Sequence, residues 1–341
     1  MQHQHGFRLL ALQFIAGAAA VLLAATIPAD AGAAARSELQ QLVESLDWSD
    51  APEPKPEKIV EDGRDVYTGV TAAYLLYFFD KLGYSGAKVA AGETSAVPPL
   101  VLLQIPKGWA EGKTVPLKKS LFYRVVLPLI LLENERTLEE RSRLLALQSQ
   151  LAKGTQLAGP DQRWLAELAR EYRVTEGDEP VLPDLAGISE LLRRVDMLPP
   201  SLALGQAAYE SGYATSRFAH EGNALFGQWT WGGGIKPADQ RSGKGDYGIR
   251  SFEFPRDSVH GYFMNLNTHP SYAALRDLRA DQRGKSQGRI RLDSIKLSRG
   301  LVSYSERGED YVSSLQGIIR HNQLQIADDL RLLEGGPIYF R

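Results

Sequence analysis

Apolar residues recur at helical spacing along most of this chain, with few stretches of strict alternation. Leu39, Leu42, Val43 and Leu46 mark a short amphipathic helix. Pro52, Pro54 and Pro56 follow as a stiff extended linker. From Asp65 to Leu82 the chain is strongly apolar, with charges bracketing it too tightly for a comfortable membrane span, so a buried helix is predicted there. Val97-Pro98-Pro99-Leu100-Val101-Leu102-Leu103 reads as extended chain. Residues 118–150 carry a long helical pattern that Pro128 should kink. Its second half is laced with Glu133, Glu135, Arg136, Glu139, Glu140, Arg141 and Arg143, the composition of a solvated face with i,i+4 pairs. Gly159-Pro160 opens another helix, and one more is predicted near Ile188 to Val195. No repeat of 20–50 residues is visible. To this point the pattern describes an α-rich region and no chemistry.

The next stretch is different. After Pro199-Pro200, which suit a first helical turn, Ala203, Gly205, Ala207 and Ala208 make a helix of small residues that neighbouring backbone can approach closely. Glu210 sits at its end and Ser211-Gly212 breaks it. A carboxyl at the tail of a buried helix is held toward its protonated form by desolvation and by the negative end of the helix dipole, as a general acid near neutral pH requires. An isolated Glu at a helix end is more often a cap or an ion-pair partner, here for Arg217. Glu221 to Gly227 is a turn cluster, and Gln228-Trp229-Thr230-Trp231 a short extended aromatic element. Two Trp faces beside such a Glu point to a carbohydrate cleft. Farther on, Ser258 to Asn267 reads as a helix with Asp257 as its cap, and Gly308 to Asn322 as a helix with Tyr311, Leu315, Ile318 and Ile319 on its core stripe.

Composition narrows the chemistry. The 39 Lys and Arg against 41 Asp and Glu leave a net charge of −2, which excludes the basic body that duplex nucleic acid would need. Without any cysteine, disulfides, thiol nucleophiles and Cys-ligated metals are excluded. The 6 histidines show no helical metal spacing outside the extreme N-terminus, so neither a metal nor another cofactor is expected. In the N-terminal segment, Arg8 precedes an apolar run from Leu9 to Ile27, and Ala29-Asp30-Ala31 fits a small-x-small cleavage site. Residues 1–31 therefore read as a secretory signal or an uncleaved inner-membrane anchor, with a buried helix as the third reading. The first two place the body in the periplasm or cell envelope.

Glu210-Ser211-Gly212, followed by Asn223 and Leu225-Phe226-Gly227, resembles the signature of bacterial peptidoglycan β-N-acetylglucosaminidases, glycoside hydrolase family 73. The stretches 121–133, 266–272 and 300–311 resemble its Bax-type branch, so four blocks occur in order over residues 118–323. The resemblance implies a mainly α, α+β lysozyme-like fold. A helical lobe carrying the acid would face a small β-lobe across a glycan groove, with an α-rich accessory region at 32–117 and the glucosaminidase domain at 118–341, core 185–325. It further implies Glu210 as general acid, Asn223 and Phe226 in the turn that shapes the groove, Trp229 as a stacking platform and Tyr272 near the cleaved bond. A second carboxylate belongs just before Ile249, where Tyr247-Gly248 is found. Asp246 is the nearest candidate, with Asp239 and Glu253 as alternatives. The expected partner is the peptidoglycan glycan strand. Three activities stay open: hydrolysis after N-acetylglucosamine, lytic transglycosylation, which needs a single acid, and glycan binding without catalysis.

Overall fold

Pro116 in the first turn starts the longest element, a 38-residue helix, Val115–Ala152, that runs through Pro128 without a break. The computed structural model describes residues 38–341, leaving out Lys107, Asp178, 239–244 and 286–290. Residues 37–341 form one compact unit, and the domain boundary expected after residue 117 falls inside it, in the first turn of the long helix. The signal or anchor predicted for residues 1–31 and the candidate Asp239 lie outside the described residues.

The architecture is mainly helical with small sheets, the α+β character expected of a lysozyme-like glucosaminidase. The predicted helices appear as Glu38–Ser45, Gly159–Glu171, Leu185–Arg194, Pro200–Ser211 and Glu309–His321. The apolar run from Asp65 to Leu82 is not one helix. It begins as the strand Arg64–Thr68, paired antiparallel with Glu57–Glu61, and only then becomes the helix Ala72–Lys81. Gly69, at φ +76°, and Thr71, whose hydroxyl accepts the Tyr74 N–H at 3.1 Å, separate the two. The four-stranded sheet is completed from the far end of the chain. Ile338–Phe340 lies parallel between Arg64–Thr68 and Leu100–Leu102. Phe340 is buried there and meets Phe78 edge to face at 5.0 Å.

The charged half of the long helix is only in part the solvated face its composition predicts: Glu135, Glu139 and Arg143 are exposed and Arg136 pairs with Glu140 at i,i+4, but other charges are drawn into contacts with neighbouring elements. Glu133 is buried, accepts from the Arg136 guanidinium at 2.7 Å and lies 2.9 Å from the His260 ring. Glu140 accepts the Tyr172 hydroxyl at 2.7 Å, and Arg141 donates to the carbonyls of Leu192 and Val195. These groups join the helix to its neighbours, so their charges are satisfied in place of being hydrated. The same helix fixes the entry to Pro200–Ser211. The Asn134 amide donates to the Leu198 carbonyl at 2.8 Å and accepts the Leu198 N–H at 3.0 Å. Beneath it Asp196 is almost wholly buried between Arg141, Arg279 and Arg283.

Candidate active site

The helix Pro200–Ser211 is buried along most of its length, as its small residues allow. A Cβ on Gly205 would come within 2.9 Å of Ile319 and 3.0 Å of Leu315, so this glycine sets how closely the Glu309–His321 helix packs. Proline leaves the first turn without a side-chain cap of its own. Asp328 supplies one, accepting the Ser201 N–H at 2.8 Å and the Ser201 hydroxyl at 2.7 Å. At the other end Gly212, Tyr213 and Ala214 all take left-handed backbone, φ +59°, +60° and +57°. Two of these are not glycine, and each such residue costs about 1 kcal/mol. The Ser211 hydroxyl, which accepts the Ala214 N–H at 2.8 Å, and Trp109, whose indole donates to the Ala214 carbonyl at 3.1 Å, hold the turn.

That turn leaves Glu210 in the wall of an open groove of about 1210 Å³. Burial pushes its carboxyl up to about 7, against the opposing effect of a hydrogen bond from Tyr311. The donor sense of that bond is set behind it. Tyr262 donates to the Gln206 carbonyl oxygen at 2.7 Å, and the Gln206 amide donates to the Tyr311 oxygen at 2.9 Å. The Tyr311 proton is thus left for Glu210. Burial keeps the Tyr262, Tyr304 and Tyr311 hydroxyls well above their ordinary range, so all three are neutral donors. Gly227, at φ +59°, is the position where the Leu225-Phe226-Gly227 turn meets the carboxyl. A Cβ there would lie 3.4 Å from a Glu210 oxygen. Facing this wall is a two-stranded piece, Trp229–Thr230 against Gly248–Ile249, the small β element of the fold.

The Glucosaminidase family model, described as mannosyl-glycoprotein endo-beta-N-acetylglucosaminidase, matches residues 186–324. Protein Bax of Escherichia coli (strain K12) is 33% identical over 211 residues, covering 62% of this chain and 72% of Bax. The chain belongs to the Bax-like glucosaminidase family. No solved structure matches it. The family model spans the Glu210 helix, the Phe226 turn, the aromatic strand and the Tyr311 helix, the parts that build the groove.

Of the site residues predicted for this glucosaminidase-family chain, Glu210, Phe226, Trp229 and Tyr272 line the groove. Phe226 is buried and stacks on Tyr262 at 4.0 Å, while its carbonyl accepts the Tyr304 hydroxyl at 3.0 Å. Trp229 stacks on Tyr247 at 4.3 Å, so one of its faces is covered. Trp231, also in the groove and 66% exposed, presents more aromatic surface than Trp229. Tyr272 is hydrogen-bonded to Asn265 and lies 5.8 Å from the His269 ring. Asn223 is not among the groove residues. It ends the helix Arg217–Gly222 in left-handed backbone and donates to the Phe252 and Glu253 carbonyls at 3.2 and 2.8 Å, so it shapes the turn from behind.

Asp246 is not brought to the groove. Its side chain is 86% exposed and paired with Lys236. Glu253 is exposed and likewise outside the lining. Asp257 does line it, yet as the third residue of Pro255–Thr268 and not as the N-cap, because Pro255 starts that helix earlier than predicted. Its carboxylate accepts the Phe254 N–H at 3.1 Å. Sequence reasoning missed Glu306 as an acidic groove residue, and placed Tyr311 in the core without its hydroxyl's role. The available signal was a tyrosine, which needs a polar partner when buried, on an otherwise aliphatic stripe. Among the described residues, no group of three or more His, Asp and Glu is arranged to hold a metal ion.

Proposed function

We propose that the protein is an endo-β-N-acetylglucosaminidase of the cell envelope that cleaves the β-1,4 bond after N-acetylglucosamine in peptidoglycan, with Glu210 as general acid. The observation that carries this reading is a half-buried carboxyl, protonated up to about pH 7, in the wall of an aromatic-lined groove. Glu210 would deliver its proton to the departing glycosidic oxygen, and the Tyr311 hydrogen bond then stabilises the carboxylate left behind. Trp231 and Trp229 would carry sugar rings, with Tyr272 beside the cleaved bond. Membership in the glucosaminidase family supports the substrate class, and the similarity to Bax supports an envelope location. A signal or anchor in residues 1–31 would deliver the chain to the periplasm and could attach it to the inner membrane.

Among the described residues, the groove offers no second carboxylate placed like Glu210. Asp257 is engaged in capping, and Glu306 has a partner of its own. Water attack assisted by the substrate's acetamido group fits this arrangement, and so does the transglycosylase outcome. Digestion of purified peptidoglycan by the full chain, with products read by mass spectrometry, decides between them. Reducing N-acetylglucosamine ends that disappear in Glu210→Gln are the expected result. Anhydro-muramyl ends would make the protein a transglycosylase, and no release from either form would leave glycan binding without catalysis.

A further inference from the structure

Among the described residues, three arginines line the groove. Arg173 follows the helix Gly159–Glu171, Arg250 follows the strand Gly248–Ile249, and Arg307 precedes the helix Glu309–His321. All three are exposed, and among the described residues none forms an ion pair with Asp or Glu. Elsewhere the chain spends its acids on its arginines, as in Arg124–Asp80, Arg143–Asp161, Arg194–Glu190 and Arg283–Asp196.

Two of the three are nevertheless held in place. The Arg307 guanidinium donates to the Tyr209 hydroxyl and, at 3.4 Å, to the Ser314 hydroxyl. Arg250 lies over the Phe252 ring, 5.0 Å from its centre. Neutral partners thus orient these guanidinium forks and leave their charge available. The groove's acids do not offset them. Glu210, raised to about 7 by burial, carries only part of its charge at neutral pH, Asp257 is 3.6 Å from Arg256 and accepts the Phe254 N–H, and Glu306 has its own partner. Of the two histidines in the groove, His260 is turned toward Glu133 at 2.9 Å, and the His269 ring accepts the Ser271 N–H at 3.2 Å. A chain of net charge −2 therefore lines its substrate groove with free positive charge.

We infer that Arg250 and Arg307, with Arg173 farther along the groove, bind carboxylates carried by the glycan strand, making the enzyme selective for acidic strands over neutral N-acetylglucosamine polymers. This rests on the proposed peptidoglycan reading. A bidentate fork matches a carboxylate and gives a neutral sugar nothing equivalent. Two sources present that chemistry on muramic residues: the lactyl carboxyl of a bare strand, and the free carboxylates of an attached peptide stem.

The test is equilibrium binding to the full-length Glu210→Gln protein, with and without Arg250→Gln and Arg307→Gln. Four probes serve: a stem-bearing strand, the same strand with its carboxylates amidated, a bare strand, and an N-acetylglucosamine oligomer of equal length. The stem-bearing strand is expected to bind roughly 10-fold or more tightly than the neutral oligomer, and the ratio should fall toward one in the double arginine variant and in high salt. Retention of the preference by the bare strand would assign the lactyl carboxyl, and its loss on amidation of the stem would assign the peptide. Equal affinity for acidic and neutral probes, or a ratio unchanged by the double variant, would overturn the inference. Hydrolysis by the parent protein is scored separately, so loss of the enzymatic reading and loss of the charge preference are distinguishable.

Discussion

At the scale of single residues, the proposed chemistry depends on a carboxyl whose charged form is disfavoured by burial and favoured by one hydrogen bond. Burial prevails, leaving Glu210 at about 7. A general acid works only when protonated, so activity should be flat below that pH and fall about tenfold per unit above it. Tyr311→Phe removes a donor to the charged form. The carboxyl should therefore rise further, carrying the alkaline limb upward by about one pH unit. The plateau rate should drop about tenfold, because the same bond stabilises the carboxylate formed during proton transfer. A pH–rate profile of the two proteins checks both effects. A limb that stayed in place would mean that Tyr311 only packs.

At the scale of elements, the proposed catalysis depends on two helices being close enough for Tyr311 to reach Glu210. Gly205 permits that approach, since any Cβ would press on Leu315 and Ile319. Gly205→Ala is expected to destabilise the fold by about 1–3 kcal/mol despite the better helix propensity of alanine, because overpacking outweighs the propensity gain. It should also lower kcat by displacing the tyrosine. Thermal unfolding and steady-state rates, measured on one preparation, test both parts. A rise in Tm with unchanged kcat would show that the contact relaxes freely.

At the scale of the whole molecule, residues 38–117 take part in the same compact unit as the groove. Ile338–Phe340 joins strands from residues 64–68 and 100–102, and the Trp109 indole holds the turn after Glu210. A fragment starting at residue 118 keeps every groove residue but loses the strands on both sides of Ile338–Phe340. Phe340, buried in the intact chain, would be exposed. Such a fragment should be poorly soluble or unfold at a markedly lower temperature than the full chain, by circular dichroism. A fragment as stable and active as the parent would restore the accessory region as a separate body.

The sequence by itself determined the helices whose apolar period is clean, the break at Gly212, the place of Glu210 at the end of its helix and the aromatic turn after it. All of these are written locally, in spacing and in residues with strong backbone preferences. The family signature is equally local. Only the tertiary structure decided what depends on neighbours distant along the chain. Asp246 points to solvent, although its place in the chain is close to that expected of a second acid. Glu133 and Glu140 are held between elements, although their spacing suits an exposed helix face. The strand half of the 65–82 run pairs with the adjacent Glu57–Glu61 and also with Ile338–Phe340, more than 250 residues away. The Tyr262–Gln206–Tyr311 relay behind Glu210 joins three helices. A carboxyl's protonation and a hydroxyl's direction are set by the solvent that packing excludes and by the partners it supplies, and neither is encoded in a residue's immediate sequence.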